Sequence, residues 1–355
     1  MAAKKVTQST QTNAMLPSLL DLHTWQSPPE TEEETLALLE ASPLLYGNYH
    51  SLNSEWQQRF LDFCQGKKSL PLTYDPFFKR IFHPDIHPDR LSRLISSILG
   101  ISVKVLHLLP NEDSIIEGGT LLIMDLLGEL EDGSLIDVEI QKQGYAFLAE
   151  RISCYSSDLV MRQYARVKGI RGKAFTYRDI KKVYVIVFFE KSTKVFHQIP
   201  DACLHYRKTV FDTGLGLELL QEYCLIALDV FRKLPYPKVR DEQSAWLSLL
   251  TTENPEDAKE LISEYPWLRE IYEETAMLRQ KPEEVLGMFS EALKILDQNT
   301  VKYMIEELQK EIEEKDAVIA AVTKEKEDAI AAAAKETDAE LAALRKQLEH
   351  YKKLQ

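Results

Sequence analysis

Residues 119–143 read GTLLIMDLLGELEDGSLIDVEIQKQ, two apolar runs joined by Glu131-Asp132-Gly133, and no other stretch constrains the fold so tightly. A three-residue loop with glycine in the left-handed position closes a bulged β-hairpin. With that loop Leu130 faces Ser134, and Asp125 stands opposite Glu139. A two-residue loop would send the two carboxylates to opposite faces of the sheet. The second run favours the longer loop, because Ile136, Val138 and Ile140 alternate with Asp137, Glu139 and Gln141. One face of that strand is therefore core and the other polar.

Asp125 interrupts Leu-Leu-Ile-Met-Asp-Leu-Leu, a run that otherwise reads as buried strand. An unpaired carboxylate there costs several kcal/mol or is forced to protonate. Facing Glu139, it would also meet a like charge. A divalent cation removes both problems, since Mg²⁺ takes one or two carboxylates, a carbonyl and several waters. Two plainer readings stand beside this one. Asp137, Glu139 and Gln141 can line a solvent-facing strand edge, and Asp125 can be a hydrogen-bonded structural residue.

The flanking elements place the hairpin in a helix–strand–strand–strand–helix–strand order. Asp75-Pro76 opens a helix, with Asp as N-cap, Pro in the first turn and Phe77, Phe78, Ile81 and Phe82 as its apolar stripe. A second helix runs from Asp89 to Leu99 and ends at Gly100. Val103 to Leu106 reads as a strand. A long helix from Gly144 to Val167 carries apolar residues at 145, 148, 152, 155, 159 and 160. Val183 to Phe189, VYVIVFF, is a strand buried on both faces. Residues 222–231 read as a further strand and 241–297 as helices.

From Val301 onward there is neither proline nor glycine, and apolar residues recur at 3-4 spacing at 301–322 and again at 341–351. The pattern predicts a coiled coil with a register break near 334–340. A single solvated helix is the alternative. Pairing with a second copy would bury the stripe, as would another partner or folding back on the 241–297 helices. The resulting division is an N-terminal extension over 1–69 (polar and disordered at its start, then helical), a core over 70–240, a helical subdomain over 241–299 and a coiled coil over 300–355.

Composition narrows the class of partner. No apolar run approaches the ~18 residues of a membrane span, and MAAKKVTQSTQTNAM has no apolar core after its lysines, so neither a membrane protein nor a signal peptide is expected. Cysteines at 64, 154, 203 and 224 share no metal-ligand spacing and suit a reducing cytoplasm. The net charge of −13 is unevenly spread: residues 64–240 carry 25 basic against 21 acidic side chains, and 253–355 carry 15 against 25. Between 162 and 182 lie eight Lys or Arg and one acid, Asp179. That cluster is either a phosphate-binding surface or a solvated face.

These residues together resemble the PD-(D/E)XK nuclease superfamily, and more narrowly its transposase-like branch of recombination-promoting nucleases. Thr73-Tyr74-Asp75-Pro76-Phe77-Phe78-Lys79-Arg80-Ile81-Phe82 is similar to that branch's D-x-x-F-K-x-x-F opening. Val138-Glu139-Ile140-Gln141 and then Phe147, Arg151 and Tyr155 are similar to its central motif and following helix, and the strand Val183–Phe189 fits its pattern as well. The resemblance spans about 70–235. It implies an α/β, restriction-endonuclease-like core with a mixed sheet flanked by helices, acting as a metal-dependent DNA endonuclease linked to recombination or mobile elements. It implies Mg²⁺ or Mn²⁺ held by Asp125, Glu139 and the Ile140 carbonyl. Gln141 stands at the position of the lysine that orients water, and Asp75 would supply the acid of the first helix. Arg151 and the basic cluster, with Arg162, Arg166, Lys168, Arg171 and Lys173, would grip the DNA backbone. Gln141 carries no positive charge, so a catalytically inactive scaffold that binds nucleic acid or protein is the alternative.

Overall fold

The computed structural model describes residues 25–109, 126–142, 144, 147–207, 211–234 and 241–353. Asp125 lies outside them. In chain order the elements are α1 (Glu32–Glu40), α2 (Pro43–His50), α3 (Ser54–Cys64), α4 (Asp75–Phe82), α5 (Arg90–Leu99), β1 (Val105–Leu108), β2 (Leu126–Leu130), β3 (Leu135–Gln141), α6 (Leu148–Arg171), β4 (Val183–Phe189), β5 (Leu204–Arg207), β6 (Gln221–Ala227), α7 (Leu228–Lys233), α8 (Glu242–Thr251), α9 (Pro255–Glu264), α10 (Arg269–Met277) and α11 (Pro282–Lys353). The chain divides into two units, one ending at Asp297 and the other consisting chiefly of the helix beyond it.

The first unit is built on a six-stranded mixed sheet of order β1-β2-β3-β4-β6-β5. β3, β4 and β6 run parallel in its centre, while β1, β2 and β5 are antiparallel to their neighbours. The β2–β3 hairpin has the register of the three-residue loop: Leu126 pairs with Val138 and Gly128 with Ile136. Leu130 N–H donates to the Ser134 carbonyl at 2.9 Å, and Gly133 sits at φ +84, where a side chain would be strained. Asp132 fixes the turn by accepting from the Ser134 N–H and hydroxyl, both at 2.9 Å. The two-residue alternative is excluded.

Three local readings need correction. Asp75 is the first helical residue of α4 rather than its N-cap; Tyr74 holds the cap position and makes no side-chain cap bond. The expected strand over 222–231 ends at Ala227, where the chain turns into α7 and Asp229 Oδ1 accepts the Val230 N–H at 3.1 Å. The polar face of β3 is also not a solvent edge. Asp137, Glu139 and Gln141 are 0%, 4% and 6% exposed, because α6 lies over them.

α4 packs its stripe on the opposite side of the sheet, with Phe78 stacked on Phe82 at 4.5 Å and tilted against Phe188 of β4 at 6.4 Å. The helices after residue 241 join this same core. Trp246 of α8 meets Phe82 at 5.7 Å, and Phe289 of α11 meets Trp56, Phe60 and Phe77 within 6 Å. A charged network ties the same elements at their rim. The Glu274 carboxylate accepts from Arg80 Nη1 at 2.8 Å and Arg90 Nη1 at 2.5 Å, with His87 Nε2 at 2.9 Å.

Beyond Asp297 the chain continues as unbroken α-helix to Lys353. Val301, Ile305, Leu308, Ile312, Ile319, Val322, Leu341, Leu344 and Leu348 are all exposed along it.

Candidate metal and nucleic-acid site at the end of β3

Ligand sites in sheets of this kind form outside the carboxyl ends of parallel strands, and β3 brings its acidic residues to that end. Glu139, Ile140 and Gln141 lie in register with Val187, Phe188 and Phe189 of β4. Gln141 Nε2 donates to Glu139 Oε2 at 3.0 Å. Gln141 Oε1 is buried and has no hydrogen-bond partner among the described residues. Leaving such an oxygen bare costs about 1–3 kcal/mol.

α6 covers this face through Tyr155 and Arg151. Burial, and then the charge of Glu139, push the Tyr155 phenol above its ordinary range, against the opposing pull of Arg151. Arg151 Nη2 donates to Tyr155 Oη at 2.9 Å. The phenol therefore stays neutral, and a guanidinium stands beside the buried carboxylates.

The donor set suits a hard cation. Two carboxylates, an amide oxygen lacking a partner and the Ile140 backbone offer the oxygen ligands that Mg²⁺ or Mn²⁺ takes. Among the described residues no three His, Cys, Asp or Glu side chains cluster closely enough to hold a metal. A complete carboxylate set thus requires a further ligand from outside them. The hairpin register that put Asp125 opposite Glu139 holds at every described pair from Leu126 to Glu129.

The remaining expected residues fall in several places. Asp75 Oδ2 accepts from Lys79 Nζ at 2.8 Å; burial pushes its carboxyl up and Lys79 pulls it down. In the basic cluster three of the arginines already have acid partners. Arg162 is buried and bonded to Asp158 at 2.6 Å, Arg166 binds both Glu129 oxygens at 2.6 and 2.9 Å, and Arg171 lies 3.5 Å from Asp179. Lys168 donates to Tyr164 Oη at 2.7 Å, and Lys173 is exposed.

Sequence reading missed a second charged group at the same strand end. Lys142, the residue after Gln141, points to the opposite face, where its Nζ donates to Thr73 Oγ1 at 2.8 Å and to the Glu190 carboxylate. It lies 3.1 Å from the Tyr74 ring centroid. Burial pushes the Lys142 amine down to about 8, against the pull of Glu190. At Glu190 the balance reverses: burial raises the carboxyl, but Lys142 and the Thr73 hydroxyl hold it below its ordinary range. Both directions describe an ion pair at neutral pH. The pair ties the approach to α4 to the ends of β3 and β4. Its only signal in the sequence was adjacency to Gln141.

Among known families, the one described as PD-(D/E)XK nuclease family transposase matches residues 72–307, which take in the whole sheet and α4 to α10. No curated protein and no solved structure matches the chain.

Proposed function

We infer that the chain, which belongs to the PD-(D/E)XK nuclease family transposases, hydrolyses phosphodiester bonds in DNA at the carboxyl end of β3. The observation that carries this reading is the buried Glu139–Gln141 pair, whose amide oxygen lacks a partner beneath Arg151 and Tyr155. Glu139, Asp125 and the Ile140 carbonyl are the ligands we assign to Mg²⁺ or Mn²⁺. Such an ion supplies a water of lowered pKa and neutralises charge on the phosphate. The protein's own groups do the rest. Gln141 orients Glu139 through its amide N–H, and Tyr155 keeps its proton and can donate it in a hydrogen bond. Arg151 adds positive charge where a phosphate would approach, and α6 keeps bulk water from the acidic face.

Plasmid nicking with Mg²⁺ or Mn²⁺, against an EDTA control, tests the reading. Cleavage should be metal-dependent and abolished in Asp125→Ala and in Glu139→Ala. A wild type that binds DNA but never nicks it in either metal favours the second reading, an inactive scaffold. Gln141, an uncharged amide where the resembling nucleases carry lysine, is the feature that favours that alternative.

No helix among the described residues is long and apolar enough to cross a membrane. Cys64, Cys154, Cys203 and Cys224 are all free thiols, which fits the cytoplasmic location we assign. We also propose that the exposed stripe from Val301 to Leu348 pairs with a second copy of the chain as a coiled coil. Light scattering should then give a dimer for the full chain and a monomer for one ending at Asn299. Monomers for both would refute the pairing.

A further inference from the structure

We propose that DNA is held at the site by the connection after β4, through Lys191 and Lys194, together with Lys233 at the end of α7. The proposal rests on the nuclease reading for its partner, but the surface follows from the structure's own contacts and charges.

This connection abuts the acidic strand end. Glu190 N–H donates to the Gln141 carbonyl at 2.9 Å, and Gly144 N–H donates to the Lys191 carbonyl at 2.9 Å. The contact at Gly144 is so close that an added Cβ would lie 2.4 Å from Thr193 Cγ2 and 3.0 Å from the Thr193 nitrogen. Asp229 fixes the other side, accepting from Ser192 N–H at 3.2 Å and contacting His197 Nε2 at 2.8 Å. The segment is thus clamped at both ends beside the end of β3, as a surface that positions a substrate must be.

Its charge is unspent. Glu190 is engaged by Lys142, with Arg232 Nη2 at 4.0 Å, and Asp229 by His197. Lys191, Lys194 and Lys233 are exposed, and no acid pairs with them among the described residues. Lysines in that condition neutralise phosphates at the least desolvation cost.

The basic cluster keeps Lys168, Lys173, Arg178 and Lys181 exposed without acid partners among the described residues, so it is the poorer candidate by position rather than by charge. Arg162, Arg166 and Arg171 already have acid partners. That end of α6 lies at the hairpin loop, where Gln163 Nε2 donates to the Gly133 carbonyl at 2.9 Å. From Gly133 to Glu139 the strand runs about 20 Å, at ~3.3 Å per residue.

Binding of the full-length protein to a short fluorescein-labelled duplex, in EDTA and across a salt series, tests the proposal apart from cleavage. Lys191→Ala/Lys194→Ala/Lys233→Ala should weaken binding about tenfold or more at low salt. It should also flatten the log–log salt slope by about 2–3, since each phosphate contact contributes ~0.9. Lys168→Ala/Lys173→Ala/Arg178→Ala should change the slope by less than about one contact's worth. Unchanged unfolding midpoints confirm that the variants fold. A wild-type slope in the first variant, or the larger loss in the second, would overturn the proposal. Plasmid nicking run in parallel separates the two readings. Loop-dependent binding without any cleavage would sink the nuclease reading alone, whereas cleavage with loop-independent binding would sink this one alone.

Discussion

Glu274 gathers the charges that fasten α4 and α5 to α10, so its removal has a calculable cost. Glu274→Gln keeps the shape and deletes the charge. Arg90 is the partner most affected, because its side chain is only 10% exposed and it loses a 2.5 Å bond. It keeps Glu270 at 3.2 Å, but that carboxylate is 81% exposed and is screened by water. Arg80 retains Glu284 at 2.7 Å and suffers less. Breaking a fully buried pair costs about 3–5 kcal/mol. With both arginines partly re-partnered, the expected loss is about 2–3 kcal/mol, near one strong charge-assisted bond. Urea unfolding at pH 7 should show a midpoint lowered by about 1 M at unchanged slope. The pH dependence follows from the sign of the shift. Burial pushes the Glu274 carboxyl up, but the bonds from Arg90 and His87 outweigh it and hold the group below its ordinary value of 4.5. Its contribution is therefore complete above that value and disappears as pH falls through the depressed folded pKa. The gap between wild type and variant should narrow below about pH 5. A difference under about 0.5 kcal/mol at pH 7, or a gap that stays constant into acid, would refute this account of the network.

Phe289→Ala should cost about 3–5 kcal/mol in the same assay, because that ring fills the space between Trp56, Phe60 and Phe77. Gly144→Ala should lose about 1–3 kcal/mol, since the new methyl collides with Thr193, and it should weaken duplex binding if the neighbouring lysines hold DNA. Lys142→Met strands Glu190 in a buried setting and should destabilise the fold, whereas Lys142→Met/Glu190→Leu should recover most of the loss. Additive losses in that double variant would show that the two side chains do not act as a pair.

Much of the fold was legible because its signals are local. The Glu131-Asp132-Gly133 loop set the hairpin register, Gly100 ends α5 at φ +67, and VYVIVFF is a strand buried on both faces. What escaped was decided by neighbours distant in the chain. β5, Leu204–Arg207, is a half-exposed edge strand of Leu, His, Tyr and Arg, with no alternation to announce it. α7 begins where β6 meets Asp229, whose ties run to Ser192 and His197 in another loop. Tyr74, rather than Asp75, occupies the N-cap position of α4, and the Asp75 carboxylate is drawn instead to Lys79 one turn on.

The site shows the same limit more sharply. Alternation along β3 correctly separates an apolar face from a polar one, yet it carries no information about what covers the polar face. Here α6 covers it, and the cover changes the chemistry. Asp137 and Glu139 on an open edge would be ordinary hydrated carboxylates, whereas under Tyr155 and Arg151 they sit in a poorly hydrated pocket, where each added or removed charge counts for more. Basic residues mislead for the converse reason. Eight Lys or Arg within 162–182 look like a phosphate surface in one dimension. The fold then sets Glu129, Asp158 and Asp179 against three of them, and Glu218 and Glu222 against Lys182. Three dispersed lysines at 191, 194 and 233, unremarkable in sequence, are exposed with no acid partner among the described residues. Charge density along a chain therefore counts side chains before pairing. The field a phosphate meets depends on those left over, and that remainder is fixed only when the sheet closes.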